Sequence, residues 1–172
     1  MSHLSLAQEV ELLCLDVDGV MTDGVIAIDD HGAETKRFHV RDGTGMRMWM
    51  KLGFHLAIIT GRQGMAVHHR ANELGVKHVV QGCEDKGAAV AALLEELGLT
   101  RMQAAMLADD LPDVPAMRAV GYPMAVADAS LVVRRLAKFT TELPGGRGAV
   151  REAIEHLLKA KGRLDEASAS WK

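Results

Sequence analysis

Aromatic residues are scarce in this chain, with two Trp, one Tyr and three Phe among 172 residues, so any core must be built from aliphatic side chains and methionine. Cysteine is scarcer still. Cys14 lies in an apolar run and Cys83 in a loop-like stretch, and the two match no CxxC or zinc spacing, which argues against a disulfide framework or a structural zinc site. Both read as free thiols without a catalytic role, a small buried hydrophobe being the ordinary identity of an isolated cysteine. No window reaches the roughly 18 uninterrupted apolar residues of a membrane span, and the opening MSHLSLAQEVELL has no basic n-region leading into an apolar h-region. The expectation is a cytoplasmic protein with no membrane partner. Lys and Arg number 20 against 23 Asp and Glu, a formal net charge of −3, which provides no basic field for holding nucleic acid. No stretch is polar enough for long enough to read as disordered.

What the chain does contain is an alternation of short apolar runs with segments of helical period. Its length suits one domain able to fold alone. Residues 12–16 read as a strand buried on both faces, and residues 25–28 and 35–40 as a hairpin turning at Asp29, Asp30, His31 and Gly32. Asp42 is expected to cap a helix to about Leu52, stopped by Gly53. Strands at 54–59, 76–80, 104–108 and 124–126 then alternate with helices at 64–74, 86–97, 114–120, 130–137 and 149–161. This is an α/β pattern, a Rossmann-like parallel sheet flanked by helices, with a protruding β-hairpin. Such sheets bind ligands beyond the carboxyl ends of their strands. Met46, Met48, Met50 and Trp49 read as core or subunit-contact residues, and the adjacent His68 and His69, about 100° apart on a helix, as surface residues.

Chemistry concentrates at four strand ends. The first carries Asp16-Val17-Asp18-Gly19, where two carboxylates can converge to hold a hard cation or to share a proton. An acidic pair alone is weak, since such pairs are commonly solvated or cap a helix, but its neighbours add to it. The second strand ends in Thr60-Gly61-Arg62, which offers a hydroxyl and a guanidinium to an oxyanion. Lys86 opens a helix after the third, and Asp109, Asp110 and Asp113 follow the fourth. Carboxylates, a hydroxyl and a lysine are what phosphoryl transfer through a charged transition state requires.

In this order Asp16/Asp18, Thr60, Lys86 and Asp109/Asp110 resemble the four motifs of the haloacid dehalogenase (HAD) superfamily of phosphatases. Within it, FHVRDGTGMR at 38–47, IITGR at 58–62, ADDLPDVPAM at 108–117, GGRGAVRE at 145–152 and the tail KGRLDEA resemble the 3-deoxy-D-manno-octulosonate 8-phosphate phosphatase family, nearly end to end. The resemblance implies that Asp16 attacks phosphorus and that Asp18 protonates the leaving alcohol and then activates water. It also implies that Mg²⁺ is held by Asp16, Asp109 and the Asp18 backbone carbonyl, with Asp110 supporting the metal loop. Thr60 and Lys86 would bind phosphoryl oxygens. His39, Val40, Arg41, Asp42, Gly43, Arg47, Arg62 and Arg70, with Asp18 and Lys86, would bind a small phosphorylated sugar acid of lipopolysaccharide precursor synthesis. The family usually has Gly where this chain has Ala108, a change that matters only if the residue must be left-handed.

Roughly forty residues separate Asp18 from Thr60, and a hairpin, helix and strand use them all, so the chain resembles the capless branch. That branch forms tetramers through its hairpins, which implies a homo-oligomer whose neighbouring subunit covers the site. Residues 144–149 are expected to be a flexible segment, and the resemblance makes them a cover over an active site. Three other readings remain open at this point: a phosphatase for a nine-carbon nonulosonate phosphate, a phospho-accepting receiver domain, and a catalytically idle module. Receivers place the acceptor Asp after strand three, where this chain has Val80-Gln81-Gly82. Nonulosonate relatives tend to carry an acidic residue at the Arg62 position.

Overall fold

The computed structural model describes residues 3–169. Helix α1 (His3–Gln8) leads into β1 (Leu12–Leu15), all four of whose residues are buried. A hairpin of β2 (Ala27–Ile28) and β3 (Glu34–Thr35) follows, then α2 (Val40–Lys51), β4 (His55–Ile59), α3 (Met65–Leu74) and β5 (His78–Val80). The second half runs α4 (Lys86–Leu97), β6 (Ala104–Ala108), α5 (Val114–Ala119), β7 (Tyr122–Ala125), α6 (Leu131–Leu136), β8 (Phe139–Thr140), α7 (Ala149–Ala160) and α8 (Leu164–Ala169).

The main sheet has the order β5-β4-β1-β6-β7-β8, every pairing parallel. The chain winds outward from β1 to β5, then crosses back to β6 and winds to β8. Right-handed crossovers therefore put α2 and α3 on one face and α4, α5 and α6 on the other. Helix α7 returns to pack on α1 and α2. Strand order reverses between β1 and β6, and ligand sites of such sheets open at that switch point.

The core is aliphatic. Met46, Met48 and Trp49 are buried, and the Trp49 indole donates to the His55 carbonyl at 2.8 Å while stacking on Phe54. Cys14 is fully buried, which pushes its thiol to about 12, and Cys83 is half-buried and also free. His68 and His69 are exposed. No helix among the described residues is long and apolar enough to cross a membrane.

Several boundaries differ from the sequence expectation. The second arm of the hairpin pairs over just two residues, because residues 36–39 take no regular structure and Val40 already begins the helix. Asp42 is not the cap of α2: His39 holds that position, and Asp42 Oδ1 accepts instead from the Arg151 backbone N–H at 2.9 Å. That bond ties α2 to α7. The two-residue edge strand β8 and the six-residue helices α1 and α8 are too short to show a period. Ala108 lies in β6 with no left-handed backbone, so the methyl costs nothing.

Residues 145–148 depart furthest from expectation. Gly146 N–H donates to the Val20 carbonyl at 2.9 Å and Gly145 N–H to Asp128 at 3.0 Å, which lays the segment on the loop after Asp18 in the same chain. A Cβ on Gly145 would collide with the Gly19 carbonyl oxygen, and one on Gly146 with the Thr22–Asp23 backbone. These glycines serve close approach of two backbones.

Gly145→Ala should therefore destabilise the fold by about 1–3 kcal/mol, the usual cost of forcing atoms into a packed contact. Gly61→Ala, whose Cβ would meet the Cys83 carbonyl at an ordinary 3.6 Å, should change stability by less than about 0.5 kcal/mol. Urea denaturation of both variants measures the difference.

Candidate active site

Strand β1 delivers Asp16 to the switch point. Its N–H donates to the Leu107 carbonyl at 3.3 Å, and the chain then turns tightly as Val20, Met21 and Thr22 N–H groups all donate to the Val17 carbonyl. Gly19 sits at φ +90°, and a Cβ there would collide with the Asp109 carboxylate, so the loop after β1 and the loop after β6 meet only because this residue is glycine. Thr60, at the end of β4, donates its N–H to Val80 and accepts from Cys83 N–H, and its hydroxyl accepts from Arg62 N–H at 3.3 Å. Asp85 caps α4 by accepting from Ala88 N–H, which fixes Lys86 as the first residue of that helix.

Lys86 Nζ donates to Asp16 Oδ1 at 2.7 Å and to Asp113 Oδ1 at 2.6 Å, all three side chains being less than one-tenth exposed. Asp113 also accepts from the Asp109 N–H at 3.2 Å. Carboxylate oxygens of Asp16, Asp109 and Asp113 lie within 4.8 Å of one another. Three carboxylates crowd around one ammonium. Burial, reinforced by Asp113, pushes the Asp16 carboxyl up to about 6 despite Lys86. Burial and the neighbouring Asp16, Asp113 and Asp110 push Asp109 to about 8. For Lys86 burial favours the neutral amine, but Asp16 and Asp113 outweigh it and hold the ammonium above its ordinary range. Oxygen-only donors with surplus negative charge fit a hard divalent cation, and among the described residues no histidine or thiolate joins the cluster to favour a softer one.

These groups line a cavity of about 420 Å³ with Asp18, Thr60, Arg62 and Asp110, Asp110 being exposed. Asp16, Asp18, Thr60, Arg62, Lys86, Asp109 and Asp110 are thus brought together. His39, Val40, Arg41, Asp42, Gly43, Arg47 and Arg70 do not line it in this chain. Arg47 donates to the Glu73 carbonyl, and Arg70 pairs with the Glu73 carboxylate and fills the space beside Gly43. Arg41 lines a separate groove with Arg147 and Arg151.

Asp113, noted in the sequence without a role of its own, joins the site, and two further participants, Lys36 and Glu34, were outside the expected set. Asp113 follows Asp109 by four residues across a Pro-containing turn of 3₁₀ helix, a spacing that returns it to the same side and that the sequence does display. Lys36 and Glu34, which reach Asp18 and Arg62 from the hairpin, carry no such signal.

A buried carboxylate at the end of the central strand, a lysine bonded to it, a hydroxyl on the adjacent strand end and an acidic pocket across the switch point are the arrangement of a haloacid dehalogenase-like hydrolase. Residues 78–154 match the haloacid dehalogenase-like hydrolase family. The 3-deoxy-D-manno-octulosonate 8-phosphate phosphatase KdsC of Escherichia coli K12 is 44% identical over 95% of this chain and 87% of its own length. The crystal structure of a Moraxella catarrhalis 3-deoxy-D-manno-octulosonate 8-phosphate phosphatase, with magnesium, phosphate and KDO, superposes with a TM-score of 0.95 at 39% identity, covering 99% of this chain and 98% of that one. The cobalt-bound phosphatase of Haemophilus influenzae gives 0.92 at 35% identity, covering 97% and 99%. The chain belongs to the 3-deoxy-D-manno-octulosonate 8-phosphate phosphatase family.

The raised carboxyl groups have a consequence for stability. Their ordinary value is 3.8, so from about pH 4 to about pH 8 the metal-free fold holds protons that the unfolded chain has released, and stability falls as pH rises through that window. A cation relieves the crowding. In chelator the melting temperature should be lower near pH 8 than near pH 5.5, and Mg²⁺ should raise it more at the higher pH. An equal Mg²⁺ shift at both values would contradict the assignment of these carboxylates as the metal site.

Proposed function

We propose that this protein is a Mg²⁺-dependent phosphoric monoester hydrolase that converts 3-deoxy-D-manno-octulosonate 8-phosphate to the free sugar acid and phosphate through an aspartyl-phosphate on Asp16. The observation that carries the reading is the Asp16 carboxylate at the switch point, bonded to Lys86 and facing Asp109 and Asp113. Family membership supplies the substrate.

Asp16 forms a bond to phosphorus as the ester oxygen departs, and Asp18 gives that oxygen its proton. Water then attacks the phospho-Asp16, Asp18 takes the water's proton, and the Asp16 carboxylate is restored as phosphate leaves. Lys86 and Thr60 bind the phosphoryl oxygens whose charge spreads in the transition state. Asp16, Asp109 and the Asp18 backbone carbonyl would hold the metal, which neutralises phosphate charge when bound; Asp110 supports that loop, and Asp113 orients Lys86 and the Asp109 backbone.

Arg62 is the arginine of the cavity itself and is assigned to the sugar acid's anionic end. We assign His39, Val40, Arg41, Asp42, Gly43, Arg47 and Arg70 to the substrate as well, as a surface brought to the cavity by assembly. The assembly proposed is a homotetramer built through the hairpins. Exposed Val25, Ile26 and Ile28 on the hairpin and Val40 and Met65 beside it support an apolar contact there. The chain is proposed to act in the cytoplasm as a single domain over residues 1–172.

Asp16→Asn should abolish turnover with the fold intact, and Asp18→Asn should lose about 10²–10⁴ in rate. Phosphate release is to be measured with 3-deoxy-D-manno-octulosonate 8-phosphate, a nine-carbon keto acid phosphate and a neutral sugar phosphate, with Mg²⁺ and with chelator. The eight-carbon acid should give the highest kcat/KM, and chelation should stop all release. Preference for the nine-carbon acid would move the assignment to the nonulosonate phosphatases.

A further inference from the structure

Asp18 and Arg62, which line the cavity, close a ring of alternating charge with Lys36 and Glu34 of the hairpin. Lys36 Nζ donates to Asp18 Oδ1 and, at 2.7 Å, to Glu34 Oε1. Glu34 Oε2 accepts from Arg62 at 2.8 Å, and Arg62 Nε returns to 3.8 Å from Asp18 Oδ2. The Lys36 side chain is only 5% exposed, although it comes from an otherwise exposed hairpin. Burying a lysine costs solvation and rotamer freedom, and partners on both sides offset that cost.

The ring has a directional effect on Asp18. Lys36 occupies Oδ1, whereas Oδ2 is buried and has no hydrogen-bond partner among the described residues. A carboxylate held by one oxygen has its other oxygen aimed. We propose that Lys36 is a positioning residue that orients Asp18 so that Oδ2 carries the proton during catalysis, with Glu34 holding Lys36 and Arg62 in place. This rests on the reading of Asp16 as nucleophile and Asp18 as proton carrier. The step served most directly is the second. Water oxygen bonds to phosphorus, the bond from Asp16 to phosphorus breaks with its electron pair returning to the carboxylate, and the water's proton passes to Asp18 Oδ2.

Stopped-flow turnover of p-nitrophenyl phosphate by the Mg²⁺-loaded full chain tests this, because its phenolate leaves without needing a proton. With Asp18 misaligned, phospho-Asp16 should form and then drain slowly. Lys36→Met should therefore give a burst of about one equivalent of phenolate followed by a steady rate lower by on the order of ten- to a hundredfold, at an unchanged melting temperature. Lys36→Arg should recover part of that rate. Asp18→Asn, run in parallel, should show the same burst; its absence there would defeat the underlying reading, whatever Lys36 does. If Asp18→Asn bursts while Lys36→Met keeps the parent's steady rate, or loses burst and turnover together in a folded protein, the positioning proposal is overturned. Should Lys36→Met fail to fold, Glu34→Gln keeps Lys36 in place but weakens the ring, and it should burst with a smaller slowing. Parent-like kinetics in Glu34→Gln would then overturn the proposal.

Discussion

Crowding three carboxylates around one ammonium at the centre of a sheet is the constraint on which the rest of this structure depends. If Asp16, Asp109 and Asp113 were all ionised, Lys86 would leave two negative charges uncompensated in a place where water is largely excluded. Burial and that crowding together push the Asp16 carboxyl up to about 6 and the Asp109 carboxyl to about 8. A divalent cation bound among them would bring two positive charges, enough to offset those two carboxylates. Doubly wound topology makes the crowding possible: β1 and β6 are neighbours in the sheet but distant in sequence, so their loops arrive from separate halves of the chain.

Glycines make the second contribution, by letting backbones and carboxylates approach where any side chain would intervene. Gly19 admits the Asp109 carboxylate, while Gly145 and Gly146 admit the segment before α7 onto the loop that carries Asp18. Arg147 adds an ion pair to Asp23 at 3.4 Å. From the opposite side the hairpin contributes Lys36 and Glu34, so the Asp18 loop is held between a distant part of the chain and an arm that reaches out to solvent. Anything that moves the hairpin acts on the Asp18 carboxylate through that ring of charged contacts.

Much of this was legible in the sequence because the signals were local. Helix α4 and strand β6 begin and end where their glycine stop and apolar run indicate, and the polar residues at the ends of β1, β4 and β6 and the start of α4 had to share one edge once the strands were parallel. Illegible parts depend on contacts between distant segments. Lys36 follows a two-residue strand with no period, and only the folded hairpin brings it to Asp18. Asp42 looks like a helix cap in isolation, but α7 offers it the Arg151 N–H one residue-turn inside the helix. A run of glycines suggests freedom, whereas here it permits contact. Arg41 and Arg47 on α2 and Arg70 on α3 do not line the cavity of their own chain.

The central claim is that phosphate passes through a covalent bond to Asp16, and trapping that bond tests it most directly. Protein mixed with Mg²⁺ and 3-deoxy-D-manno-octulosonate 8-phosphate, quenched during turnover and reduced with borohydride, should contain homoserine at position 16 by peptide mass spectrometry, and at no other aspartate. An unmodified Asp16 in actively turning-over protein, or the reduced residue at a different aspartate, would contradict the account.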